Sequence, residues 1–273
     1  MREETERELT THWYRLRWPS ASRRAWLELA IVVAAWLAYF GVRAVTEGAH
    51  DTAVANAQRV VDLQAQWGLN RDMDAHRAIL DHHWLVTLMN WVYTWGHWPV
   101  IVPAGVWLFL RFPGVYYRTR NAFLISGAIG LFIFATFPVA PPRLAEMDVV
   151  DTVTQYSDSY RLLQPPEVTN QYAAMPSLHF GWNLLIGIAL VQVLRRWPLR
   201  VLAAAFPILM GASIILTANH FVLDGIAGGA LALLGLGIAT LLERRFRHTK
   251  VYRYIVPRDV AVEPAALPPV RRA

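Results

Sequence analysis

Apolar residues in this chain lie in long continuous blocks, separated by short basic or polar stretches, rather than at the three-and-four spacing of a soluble helix. The blocks fall at about 25–45, 86–110, 120–138, 178–194, 200–218 and 222–242. At about 1.5 Å of rise per residue, blocks near 20 residues match a hydrocarbon core about 30 Å thick. The second block contains Pro99 and Pro103, which interrupt it, and membrane helices tolerate proline where neighbours satisfy the freed carbonyls. The first is too long for a signal-peptide core and is not followed by a small-residue cleavage site, so an uncleaved anchor is expected. The pattern predicts an all-α integral membrane bundle of six transmembrane helices over residues 25–242. A cytoplasmic tail, 1–24, precedes it, and a basic, partly disordered tail, 243–273, follows.

Two segments between blocks are long. Residues 47–83 are polar but carry Ala53, Val54, Ala57, Val60, Val61 and Leu63, a pattern that predicts an extracytoplasmic helix lying on the membrane surface or over the bundle. Residues 139–175 are acidic and without periodicity, and long connections of this kind tend to be functional.

Composition agrees with a membrane protein: 55% of residues are hydrophobic, 17% are charged, and there are twelve tryptophans. Without cysteine, neither a disulfide framework nor a thiolate metal site is possible. The net charge of +6 does not point to nucleic acid, because the basic residues flank the apolar blocks. Lys250 is the sole lysine, a skew that fits a GC-rich genome and a bacterial plasma membrane. With six spans, twenty basic residues fall on the side of the two termini and five on the other (Arg59, Arg71, Arg77, Arg143 and Arg161), with Arg43 near the end of the first span. The positive-inside rule then makes both termini cytoplasmic.

Three polar clusters interrupt the apolar pattern. Pro176-Ser177-Leu178-His179 opens the fourth span; proline and serine suit a first helical turn, where free N–H groups and the dipole favour a phosphate, although a capping motif with an incidental histidine has the same pattern. His220 and Asp224, four apart, share a helical face at the start of the sixth span. A carboxylate on one ring nitrogen would fix the tautomer and leave the other as nucleophile, although a structural ion pair capping the helix has the same spacing. Arg143 closes the third span in Pro138-Val139-Ala140-Pro141-Pro142-Arg143-Leu144, where it suits either bidentate phosphate binding or an interfacial position. The predicted topology brings all three clusters to the extracytoplasmic face.

This ordered set resembles the three signature blocks of the type 2 phosphatidic acid phosphatase superfamily. The strings at 138–144 and Ala174-Met175-Pro176-Ser177-Leu178-His179-Phe180 are similar to its inositol phosphorylceramide synthase-like branch. The resemblance implies a phosphohistidine intermediate with no metal or cofactor. In it His220 attacks phosphorus, Asp224 orients that ring, His179 protonates the leaving group, and Arg143 and Ser177 hold phosphate oxygens. Two family cations are missing: Thr136 replaces a lysine, and Ser213-Ile214 replaces Ser-Arg. Phosphate charge is then expected to be met by Arg161, His97, Asn219, Gln171 or Tyr172.

Asn90, Tyr93 and His97 form a polar stripe in the second span, read as facing the bundle interior, with His97 placed behind the catalytic groups. His76, His82 and His83 lie among acidic residues and are read as a solvated surface rather than a metal site. The implied partners are the bilayer and a lipid phosphate or phospholipid, with inositol or another hydroxyl as a possible acceptor. A lipid phosphatase or phosphotransferase is expected, with inositol-phosphate transfer as an alternative. A transporter or silent scaffold is the reading from another class; the ionisable groups gather at one face rather than at the midplane, which disfavours it.

Overall fold

A computed structural model of the chain describes residues 21–46, 48–157, 160, 170–246 and 248–249. Arg161, most of the N-terminal tail and most of the C-terminal tail lie outside the described residues. The described residues form helices and connecting loops, with one isolated backbone bridge, Val139 to Ala173. Helix α1, Ala21–Thr46, carries the apolar stretch Ala25–Ala44. It belongs largely to a separate unit, Met1–Tyr39, and is described by itself.

The second unit holds α2 (His50–Gln66), α3 (Asp72–Ile79), α4 (His83–Trp95), α5 (Trp98–Arg111), α6 (Pro113–Thr136), the short α7 (Thr152–Tyr156), α8 (Leu178–Val193), α9 (Trp197–Leu216) and α10 (Val222–Phe246). Among the described residues, four helices (α1, α6, α9 and α10) are long and apolar enough to cross a membrane. Helices α5 and α8 are apolar but shorter, 14 and 16 residues.

The expected second span is two helices in tandem. Its break falls at Gly96-His97, upstream of both prolines, while Pro103 sits inside α5. The cause is Pro99: in a continuous helix its ring would meet the carbonyl of Trp95 and it could donate no bond there, so α4 stops at Trp95. In the new helix Pro99 occupies the first turn, where no N–H is required.

Helix α8 packs against α6, α9 and α10, and α6 packs along α10. Small residues allow the close approach. A Cβ on Gly228 would collide with the backbone carbonyl of Ser177, and one on Gly235 would meet the Ala122 carbonyl at 2.8 Å. Far from the histidines, Arg118 of α6 holds Glu243 of α10 through two bonds, 2.6 and 3.3 Å.

The 47–83 segment folds as α2 and α3, and α2 lies over loop ends of the bundle. Its buried face (Ala53, Ala57 and Val60) packs on Val139, Ala140, Ala174, Phe221 and Leu223. Asn56 donates to the Pro138 carbonyl (2.8 Å), and Ala140 N–H donates to Ala53 O (3.1 Å). Gln64 reaches further: its Oε1 accepts from Leu223 N–H at 2.8 Å, satisfying an otherwise free donor in the first turn of α10. His76 of α3 is fully buried. Its Nδ1 is 2.7 Å from the Leu216 carbonyl and therefore carries the proton, and its Nε2 accepts from Val150 N–H at 3.2 Å. It ties α3 to the end of α9 and to the 139–175 loop, so for this histidine the expectation of a solvated surface is corrected.

Candidate active site

The C-terminal ends of α6 and α9 and the N-terminal ends of α8 and α10 lie together, and the three polar clusters occupy those ends. Each is set by a specific piece of local structure.

Helix α9 ends at Thr217 in a Schellman-type cap: Ala218 N–H returns to Ile215 O (3.0 Å) and Asn219 N–H to Ile214 O (3.1 Å). The cap requires a left-handed residue, and Ala218 supplies it at φ 53° despite its Cβ. Arg143 N–H donates to the Ala218 carbonyl at 3.0 Å and holds the turn. His220 emerges from this turn. Two residues on, α10 starts, and Asp224 Oδ2 reaches back to Phe221 N–H at 2.9 Å, the acidic half of a capping box.

Two acceptors surround Nδ1 of His220: the Ala174 carbonyl at 2.8 Å and Asp224 Oδ2 at 3.4 Å. A carbonyl can only accept, so Nδ1 carries the ring proton and Nε2 keeps its lone pair. The sequence pattern identified the carboxylate as the orienting group; the shorter contact is the backbone of the loop that precedes Pro176. Asp224 is wholly buried, and its Oδ1 has no partner among the described residues.

Ser177 is the N-cap of α8, accepting from Phe180 N–H at 3.5 Å, and its own N–H donates to Asp224 O at 2.9 Å. The serine is fully buried and thereby fixes where His179 stands. The His179 ring is 5.9 Å from His220, centroid to centroid. On its other sides Tyr93 stacks at 4.6 Å and His97 lies at 4.2 Å. Its Nε2 is buried without a partner among the described residues.

His97, at the break between α4 and α5, lies against the His179 ring. Asn183 Nδ2 donates to the His179 carbonyl (2.7 Å) and faces His97 Nδ1 (3.2 Å), which is then an acceptor, so the His97 proton resides on Nε2. The expected stripe of Asn90, Tyr93 and His97 does not lie on one helix. Asn90 instead grips Thr152 through its carbonyl (2.8 Å) and its hydroxyl (3.1 Å), fixing α7.

Arg143 is held by three side chains: Nε to Asn219 Oδ1 (2.8 Å), one terminal nitrogen to Asp151 Oδ2 (3.0 Å), the other to Tyr160 Oη (2.9 Å). Among the described residues these partners take three of its five N–H groups. Burial opposes its charge, but Tyr160, which carries charge only at high pH, and Asp151 outweigh that and keep the guanidinium above its ordinary pKa. Burial raises Tyr160, so at neutral pH its hydroxyl is uncharged; it accepts from Arg143 and retains its own proton to donate.

Of the predicted residues, His179, His220, Asp224, Ser177, Arg143, Asn219 and His97 share one network of bonds and ring contacts. Tyr172 points elsewhere, its hydroxyl 3.3 Å from His50 Nδ1. No hydrogen bond among the described residues joins the Gln171 side chain to the histidines. Thr136 turns its hydroxyl back onto Phe132 O, and Ile214 is a fully buried apolar side chain, so neither stands in for a missing cation. Asp151, Tyr160 and Asn183 went unnoticed in the sequence. Asn183 is four residues after His179 on one helix, a spacing that could have pointed to it; the other two lie in an aperiodic loop that gives no such signal.

The PAP2 superfamily profile matches residues 58–238, which include all of these groups except His50. The chain belongs to the PAP2 superfamily, a match that supports a phosphatase-type enzyme. No curated protein and no solved structure matches the chain.

Proposed function

We propose that the protein is a membrane lipid phosphatase or phosphotransferase that works through a phosphohistidine at the extracytoplasmic face, without a metal. The observation that carries this reading is the state of His220: Nδ1–H committed to Ala174 O, Nε2 free, and the His179 ring 5.9 Å away. Nε2 attacks phosphorus, the bond to the leaving oxygen breaks, and that oxygen takes a proton from protonated His179. Asp224 stabilises the positive charge that develops on the His220 ring. The remaining N–H groups of Arg143 and the Tyr160 hydroxyl surround the phosphate oxygens, while Asn219, whose amide nitrogen is spent on Thr217, holds the Arg143 fork in place. Water or an alcohol then attacks the phosphohistidine, returns a proton to His179 and releases His220.

The twenty-to-five split of basic residues supports the six-span topology with both termini cytoplasmic and the site outside. The alternative acceptor is a hydroxyl such as inositol. The strings at 138–144 and 174–180 and the absent cations at Thr136 and Ile214 favour that synthase-like branch. Incubation of the purified protein with lipid phosphates in excess chelator, with and without inositol, tests both readings. Free phosphate means hydrolysis, and inositol phosphate formed together with the lipid alcohol means transfer. Loss of all turnover on chelation would refute the metal-independent mechanism.

A further inference from the structure

The His220 side of the site is polar, formed by Asp224, the Ala174 carbonyl and, through Asn219, Arg143. The His179 side is aromatic. Beyond Tyr93 and His97 lie two indoles: Trp182 stands parallel to His97 at 6.1 Å, and Trp98 meets it edge-on at 5.0 Å. The indoles contact each other edge to face at 5.6 Å. Trp182 is fixed by its N–H to Ser126 Oγ (3.2 Å) and by Phe123 at 5.0 Å.

Exposure changes abruptly along this wall. His97 is 3% exposed, whereas its chain neighbour Trp98 is 51% exposed. Trp98 also continues a stripe of outward apolar residues on α4, Trp84, Leu88, Trp91 and Trp95, spaced four, three and four apart. At the helix break, His97 touches the buried ring of His179 at 4.2 Å and Trp98 at 5.0 Å, so it links the exposed indole to that ring. Indole rings suit the boundary between lipid chains and polar groups.

We propose that Tyr93, His97, Trp98 and Trp182 form the wall along which the apolar chain of the substrate leaves the site, so that a long-chain alcohol is the leaving group beside His179. The assignment rests on the function proposed above and deepens it by fixing which part of the substrate lies on which side. In the step, the bond from His220 Nε2 to phosphorus forms and the bond from phosphorus to the alcohol oxygen breaks. The bonding electron pair stays on that oxygen, which takes its proton from protonated His179. The unpartnered Nε2 of His179 is the atom available for it.

The test compares kcat/KM of the full-length protein in mixed micelles for a hexadecyl and a butyl phosphate monoester. Wild type prefers the long chain. Trp98→Ala lowers the long-to-short ratio by about tenfold or more, chiefly through KM of the long substrate, and Trp98→Phe restores most of it. Should Trp98→Ala not fold, the same fall is read in Trp182→Phe, which keeps a smaller ring. A ratio unchanged by these substitutions, or a wild type that treats both esters alike, overturns the wall while leaving the phosphohistidine reading intact. A wild type that cleaves neither ester and no other lipid phosphate overturns both.

Discussion

Asp224→Asn separates the electrostatic role of this residue from its structural one. In the fold, Oδ2 both accepts from Phe221 N–H and lies 3.4 Å from Nδ1 of His220. An asparagine oxygen can keep the first contact but brings no charge to the second. A unit charge pair at this distance is worth about 5 kcal/mol at an effective dielectric of about 20. The amide dipole recovers part of that, so the loss falls between about 2 and 5 kcal/mol, or about thirty- to several-thousand-fold in rate. The assay is the initial rate of phosphate release from a lipid phosphate, run beside thermal unfolding in the same detergent. Because the helix cap survives, the unfolding midpoint is expected to stay within a few degrees of wild type. A folded Asp224→Asn protein within about threefold of the wild-type rate would refute the claim that the carboxylate stabilises charge on His220.

Arg143→Lys is expected to raise KM by about tenfold or more, since one ammonium cannot replace a planar fork joined to Asn219, Asp151 and Tyr160 at once. Steady-state kinetics would check it, and an unchanged KM would count against phosphate binding there. His76→Phe leaves the part-buried Leu216 O and Val150 N–H without this partner, at a cost of up to about 1–3 kcal/mol each. The chemical-denaturation midpoint should fall accordingly, and an unaltered midpoint would show that His76 is not the tie inferred.

Helix existence and the three motif clusters were legible in the sequence because a bilayer imposes long apolar blocks, against which Arg143, His179, His220 and Asp224 stand out. The break at Gly96-His97 was less legible. Hydropathy averages across it, and two prolines offered two other places for it. That averaging also hid the helix break that sets His97 against the His179 ring. Asp151, Tyr160 and the Ala174 carbonyl escaped notice because loop residues and backbone atoms carry no periodic signal, and their positions follow from tertiary bonds such as Asn90 to Thr152. The choice between a helix on the membrane and one over the bundle likewise depended on α2 finding Val139, Ala174 and Phe221 as its partners.

In the proposed mechanism the nucleophile is His220 Nε2, because Nδ1–H is bound to Ala174 O. Rapid denaturing quench of the wild-type protein with a phosphorus-labelled lipid phosphate, followed by mass spectrometry and phosphorus NMR, locates the phosphoryl group. The expected species is an acid-labile, base-stable phosphohistidine at residue 220, substituted on Nε2. A phosphoryl group on Nδ1, on another residue, or persisting when His220 is replaced would refute the mechanism.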